Sequence, residues 1–237
     1  MLSDLSKSPD RIAGMFDAIA GRYDVLNHIL SAGVDRRWRR LAIRSLGLTG
    51  TERLVDVCTG TADLAVAACA AQPGAARVIG VDFARAMLRV GQEKVSRARL
   101  GRSIALVRGD ATRLPLADRS VDAATVAFGI RNVEDTAAAV VELHRVMVPG
   151  GRLAVLEFAV PTLPVVRGFY LWYFEHVLPR VGRFVSRHRA AYSYLPESVA
   201  AFRSPEEFVK LLRQAGFGDI RADPLTLGVV MLYTGRA

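Results

Sequence analysis

Apolar positions set two different rhythms along this chain. Over the first fifty residues Phe16, Ile19, Tyr23, Leu26, Ile29 and Leu30 recur at spacings of three and four, which predicts an amphipathic helix. Trp38, Leu41, Ala42 and Ser45 continue the rhythm in a second helix that carries Arg36, Arg37, Arg39, Arg40 and Arg44, and Gly47 and Gly50 end it. From Arg53 the period changes. Short apolar runs at 54–58, 77–82, 104–107, 121–128 and 153–158 read as buried strands. Helical stretches at 63–71, 87–100 and 136–147 separate them, and Pro73-Gly74 and Pro149-Gly150-Gly151 punctuate the pattern. Strands alternating with helices of this length predict βαβ units and a parallel sheet.

The alternation breaks at 161–196. Pro161, Pro164, Pro179 and Pro196 lie among aromatics such as Phe169, Tyr170, Trp172 and Tyr194, and the segment reads as an inserted helical cap. Ser204-Pro205-Glu206-Glu207 is an N-cap with proline at the first helical position. It opens a helix to Ala215, after which strands near Ile220 and at 229–233 close the chain. The expected organisation over 1–237 is one domain: a helical lid at 1–50, a core at 53–158, the cap at 161–200, and a final helix and strands at 204–237.

Composition narrows this picture without deciding it. Hydrophobic residues at 51% and charged residues at 23% fit a globular chain and exclude wholesale disorder. The net charge of +9 is compatible with nucleic acid, an anionic membrane surface or neither. Two cysteines, Cys58 and Cys69, form no CxxC pair and no disulfide framework, so a reducing compartment is expected. His28, His144, His176 and His188 share no metal-ligand spacing, and no metal site is expected.

Four motifs carry chemistry. The turn 56–63, Asp-Val-Cys-Thr-Gly-Thr-Ala-Asp, links a strand to a helix; Gly60 permits close backbone approach, and free N–H groups at a helix start suit an anionic ligand group. Asp82 ends the second strand, where a carboxylate can accept both hydroxyls of a ribose; capping the next helix is its other reading, and both can hold. Gly109-Asp110-Ala111 follows the third strand, where an acid can accept from an adenine amino group. Arg145 to Leu153 runs helix, Pro-Gly-Gly, strand. In this order they resemble class I methyltransferases. That resemblance implies a Rossmann-like α/β fold of seven mostly parallel strands with the last one antiparallel. It also implies S-adenosylmethionine held over the carboxyl ends of the sheet.

Three further segments sharpen the likeness. They are Phe16-Asp17-Ala18-Ile19-Ala20-Gly21-Arg22-Tyr23-Asp24, Phe128-Gly129-Ile130-Arg131-Asn132-Val133, and Leu156-Glu157-Phe158 with Tyr192-Ser193-Tyr194-Leu195-Pro196-Glu197-Ser198. Over nearly its whole length the chain is similar to the ubiquinone/menaquinone biosynthesis C-methyltransferase family. The resemblance implies cofactor contacts at Thr61, Asp82, Asp110 and Ala111, with Gly60 in the turn and Ala127 beside the transferred methyl. It implies a polyprenyl quinol substrate, demethylmenaquinol or a benzoquinol counterpart. Arg131 is the candidate catalytic residue, a guanidinium able to stabilise a phenolate, with an ion pair to Glu134 or Asp135 as the alternative. Tyr23, Asn132 and Tyr192 are candidate substrate contacts. The sequence departs from the family pattern at Ala62, where glycine is usual, at Asp110, where asparagine is common, and at Tyr233, where histidine is usual.

Five arginines against one acid between 165 and 195, among aromatics, suit an interfacial surface. The expected location is cytoplasmic, peripheral on the inner face of the membrane, with no nucleic-acid partner and the oligomeric state left open. The competing readings are a methyltransferase for another phenolic or lipid substrate, and a non-catalytic cofactor-binding or nucleic-acid-binding protein.

Overall fold

The structure is a computed structural model that describes residues 8–71, 77–177 and 189–237. Helices α1 (Pro9–Ile19), α2 (Tyr23–Leu30) and α3 (Asp35–Ser45) precede strand β1 (Arg53–Val57). Then follow α4 (Asp63–Ala71), β2 (Arg77–Asp82), α5 (Arg85–Arg97), β3 (Ile104–Arg108), β4 (Val121–Ala127), α6 (Thr136–Val146) and β5 (Met147–Phe158). Helix α7 (Pro164–Trp172) runs into a wider turn at Tyr173–Val177, and α8 (Arg189–Ala200), α9 (Pro205–Gln214), β6 (Gly218–Leu225) and β7 (Val230–Arg236) complete the chain.

The seven strands form one sheet in the order β3-β2-β1-β4-β5-β7-β6. β1 to β5 are parallel and β7 runs antiparallel to both its neighbours. Alternation along the strands feeds two layers. Leu54 and Ala123 pack with Trp38 and Ala42 of α3, with Leu46 just after it, and with Ala65 and Ala68 of α4. Val55 and Ala124 pack with Val140 and Leu143 of α6 and Phe208 and Leu212 of α9. The strand order reverses between β1 and β4, so the loops after these two strands part there and leave a crevice at their carboxyl ends.

Several elements differ from the sequence reading by more than a residue. The first helical rhythm is two helices, broken by a 3-10 turn at Ala20–Arg22 around Gly21. Helix α5 begins two residues and ends three residues earlier than the periodicity suggests. β5 begins at Met147, because Val121 pairs with Met147 before the Pro149-Gly150-Gly151 segment bulges out and Ala123 takes up pairing with Arg152. Gly150 supplies the positive φ of 77° that this bulge needs. The Ser204 cap is present as a full capping box, with Glu207 N–H donating to Ser204 Oγ and Ser204 N–H to Glu207 Oε2.

Candidate active site

The turn after β1 is folded back on itself by three left-handed residues in five, Cys58 (φ 56°), Gly60 (φ 55°) and Ala62 (φ 63°). Ala62 is the position where glycine is usual, and its φ gives the reason: a Cβ is strained there. The buried methyl of Ala62 packs in the α3–α4 layer, which offsets part of that strain. Beneath the turn Asp56 is buried and accepts from the hydroxyls of Thr59 (2.6 Å) and Thr125 (2.8 Å). Burial pushes its carboxyl up to about 6 against the pull of those two hydroxyls.

Asp82 holds the turn and the next helix together. Gly60 N–H donates to its Oδ2 at 2.8 Å and Ala84 N–H to its Oδ1 at 2.9 Å, so it clips the glycine turn to the start of α5. Its carboxyl also lines a cavity of about 550 Å³ at the β1–β4 crevice. Burial pushes this carboxyl up, and the backbone N–H groups pull it down. Gly60, Asp110, Ala111 and Ala127 line the same cavity, as do Tyr23 and Asn132. Asp110 accepts from Thr112 N–H and Oγ1 through Oδ1 alone among the described residues. Thr61 is not in the wall: its hydroxyl donates to Asp24 at 2.5 Å and accepts from Lys94 at 3.1 Å. Lys94 also pairs with Asp24 at 2.7 Å and with Asp63, so Thr61 belongs to a clasp between α2 and the core. Asp17 of α1 adds a second clasp, accepting Ala86 N–H at 2.7 Å at the otherwise uncapped start of α5.

A second cavity of about 300 Å³ adjoins the first, and Phe16, Tyr23 and Phe128 line both. Its walls are apolar and aromatic, with Trp38, Phe158, Phe169 and Tyr170 among them. Trp38, Phe128 and Phe158 form one ring cluster, with Phe128 and Phe158 centred 4.6 Å apart. Tyr194 on the second cavity donates to Asn132 Oδ1 on the first at 3.1 Å, so this pair ties the walls of the two spaces together. The side chain of Tyr192 lies outside the described residues.

Arg131 lines the second cavity and is 5% exposed. It sits in the 3-10 turn Ile130–Asn132 that follows β4. Its ion pair is to neither Glu134 nor Asp135. Nη1 donates to Glu157 Oε1 at 2.6 Å and to Phe128 O at 2.7 Å, and Nε to Ser198 Oγ at 3.3 Å. Asp135 is committed elsewhere, accepting Ala138 N–H as the cap of α6, while Glu134 lines the first cavity. Glu157 is the site residue that the sequence reading left without a role. Its signal was there, an acid inside an otherwise apolar strand.

Known proteins resemble this chain in sequence and in fold. The model of the ubiE/COQ5 methyltransferase family matches residues 5–237. The chain belongs to that family. It is 44% identical over 231 residues to the ubiquinone/menaquinone biosynthesis C-methyltransferase UbiE of Geobacter sp. (strain M21), covering 98% of each chain. It is 49% identical over 221 residues to the protein of the same name from Syntrophotalea carbinolica, covering 93% of this chain and 92% of that one. Against the demethylmenaquinone methyltransferase of Bacteroides fragilis it is 40% identical, covering 98% and 94%. Among solved structures the [4+2]-cyclase SpnF aligns with a TM-score of 0.68 at 17% identity over 95% of each chain. A SAM-dependent methyltransferase from Aquifex aeolicus aligns with a TM-score of 0.62 at 18% identity, over 84% of this chain and 88% of that one. These structural likenesses speak to the fold, and a cyclase among them makes plain that the fold alone does not choose the reaction.

The protein is thus an S-adenosylmethionine-dependent methyltransferase with a Rossmann-like fold. The first cavity fits this cosubstrate. Asp82 and Asp110 both line it with carboxylate acceptors of the kind that ribose hydroxyls and an adenine amino group call for, and the turn after β1 lines it at Gly60.

Proposed function

We propose that this methyltransferase methylates a ring carbon of a polyprenyl quinol, with demethylmenaquinol as the preferred substrate over its benzoquinol counterpart. The observation that carries the reading is the pair of adjoining cavities, the more polar one lined by Asp82 and the more apolar one lined by the buried guanidinium of Arg131, which Glu157 pairs from behind. When bound, S-adenosylmethionine supplies a methyl group on a sulfonium. A quinol ring fits between the aromatic walls of the second cavity, and the shared residues Phe16, Tyr23 and Phe128 hold it against the first.

Carbon is a weak nucleophile until a neighbouring ring hydroxyl ionises, and a phenol does so near pH 10 by the guide of tyrosine. Arg131 is the residue that stabilises the phenolate: its Nη2 makes no hydrogen bond among the described residues, while its other donors are engaged. Asn132, oriented by Tyr194, and Tyr23 position the ring oxygens. Arg131→Lys keeps the charge but loses the planar fork, and is expected to lower turnover about tenfold or more with cosubstrate affinity intact.

The experiment that tests the function is quinone extraction from cells lacking the protein. Accumulated demethylmenaquinone supports the reading; a normal quinone profile rejects it and favours another phenolic or lipid substrate.

A polyprenyl tail requires the enzyme to meet a bilayer. No helix among the described residues is long and apolar enough to cross a membrane. On α7, Val165, Phe169 and Trp172 are 86, 66 and 49% exposed, and Leu227 in the turn Thr226–Gly228 is 67% exposed. Val166, Phe169 and Thr226 of these same segments line the second cavity. This apolar face is the proposed interfacial dock on the cytoplasmic side, and exposed Arg167 lies on the same helix. Arg180, Arg183 and Arg187, which the sequence suggests for the same role, lie outside the described residues. The protein is expected to co-sediment with anionic vesicles at low salt, and Phe169→Ser with Trp172→Ser to weaken this. Protein that stays in the supernatant at low salt would show that the face does not dock on lipid.

A further inference from the structure

Two of the sequence segments that mark the family meet at one side chain. Glu157, the penultimate residue of β5, is fully buried, and its Oε1 accepts from Arg131 Nη1 (2.6 Å) and from Phe158 N–H (2.9 Å). Its Oε2 accepts the backbone N–H of Arg131 at 3.2 Å. Ser198, 1% exposed, comes from α8 in the cap; it accepts Arg131 Nε at 3.3 Å while donating to Leu195 O at 3.0 Å. Phe128 O takes a second hydrogen bond from Nη1, and the Phe158 ring lies 5.4 Å from the guanidinium carbon. The fork is therefore held from the sheet on one side and from the cap on the other, and the Nη2 edge is left to the cavity.

We infer that Glu157 and Ser198 are positioning residues that act through Arg131, fixing which edge of its guanidinium meets the substrate and, for Glu157, how much positive field reaches it. The inference rests on the reading above, in which Arg131 meets the quinol. A guanidinium beside a carboxylate is nearly neutral at a distance but still directs its free donors, so it can select one oxygen of a bound ring without attracting anions at large. Glu157 thereby makes the burial of the arginine tolerable and tempers its pull on the substrate hydroxyl. Ser198 couples the same fork to the cap, so the donors are aimed when α8 is in place over the cavity.

The groups that face Arg131 define the electrostatic setting. Glu157 comes from β5, Tyr23 from α2, Tyr170 from α7 and Tyr194 from α8. Asp35 and Arg39 of α3 line the same cavity as a buried ion pair, which contributes little net charge. Burial raises all three tyrosines above their ordinary value, so none of them ionises near neutral pH. Cys58 after β1 and Tyr233 of β7 also feel the charge of Glu157, and burial raises both above their ordinary values, so near neutral pH the substrate hydroxyl is the group whose ionisation changes when that charge is removed.

The test uses the purified full-length enzyme with S-adenosylmethionine and a chemically reduced, short-tailed demethylmenaquinone, with turnover followed between about pH 6 and 9. Glu157→Asp keeps the charge but shortens its reach, and Ser198→Ala removes the cap-side acceptor. Each is expected to lower kcat about 10- to 100-fold through misplacement of the fork, with KM for S-adenosylmethionine unchanged. Glu157→Gln removes a negative charge, which favours the phenolate. Its pH profile is expected to shift so that activity rises at lower pH than in the wild type. A merely structural role would give kcat losses that track the folded fraction and a pH profile that does not move, and that result overturns the inference. Arg131→Lys is the control for the underlying reading. If it lowers turnover while the Glu157 and Ser198 variants behave as wild type, the inference alone fails. If Arg131→Lys itself leaves turnover and pH profile unchanged, Arg131 does not meet the quinol and both fall.

Discussion

Asp82→Ala is expected to weaken S-adenosylmethionine binding by about 10²- to 10³-fold, the largest single loss available among the cosubstrate contacts. The carboxylate ends β2 with each oxygen already holding one backbone N–H, from Ala84 and from Gly60. Each oxygen keeps further acceptor capacity, and the side chain faces the cavity, so two vicinal ribose hydroxyls can donate to it at once. Hydrogen bonds to a charged acceptor contribute about 1.5–3 kcal/mol each, so losing two costs about 3–6 kcal/mol, and the lower half of that span corresponds to the affinity range given. The fold is expected to lose about 1 kcal/mol as well, because Gly60 N–H and Ala84 N–H lose their partner, a loss like that of a helix cap. Asp82→Asn impairs both roles in part, because its amide NH2 faces one backbone N–H where an acceptor is needed. It keeps one acceptor oxygen but offers a donor where the second hydroxyl needs an acceptor, so a smaller loss of about tenfold is expected. Calorimetry on the folded variants reads both. Wild-type affinity in Asp82→Ala would reduce this residue to a clip between the turn and α5.

Local signals in the sequence carried the frame and stopped where long-range contacts took over. The apolar run 54–58, the acid closing β2 and the Ser204–Glu207 capping box each have their cause within a few residues, and each stands where the pattern puts it. The residues lining the first cavity follow from the same logic, because ligands of such sheets sit at strand ends, and strand ends are legible. Thr61 is different. Its hydroxyl turns to Asp24, 37 positions earlier, and no pattern near residue 61 announces a clasp to a helix from the start of the chain. Arg131 is a similar case. The acids next to it in sequence suggest an ion pair, but Asp135 is taken up as the cap of α6, and the partner arrives 26 positions later on a neighbouring strand. The Pro-Gly-Gly segment reads as a stop, and it is instead a bulge inside β5, since breakers mark irregular backbone without telling whether pairing resumes.

Gly129→Ala is expected to damage stability and the site together. Gly129 has an ordinary φ of −118°, so its reason is space rather than backbone freedom. A Cβ built there would lie 2.3 Å from Cys58 Cβ, against the roughly 3.5–4 Å at which carbon atoms rest. Both atoms hang on constrained backbone: Cys58 has φ 56° in the turn after β1, and Phe128, just before Gly129, has φ 58° in the turn after β4. Neither side can rotate a flexible chain out of the way, so the two loops must separate by about an ångström. Overpacking of this kind costs about 1–3 kcal/mol, here at the upper end, and in a chain of this size about 3 kcal/mol lowers Tm by about 6–12 °C. The separation opens the β1–β4 crevice, moving the cosubstrate turn away from the 3-10 turn that carries Arg131. Turnover is therefore expected to fall by about 10²-fold, beyond what the lost folded fraction explains. Cys58→Gly in the same chain tests the cause directly. It removes the opposing Cβ and suits the left-handed φ, so the double variant should recover most of the Tm lost by Gly129→Ala, with a coupling of about 2 kcal/mol between the two positions. A single Gly129→Ala variant that melts and turns over like the wild type would mean that the loops after β1 and β4 have slack, and that their contact does not set the geometry of the crevice.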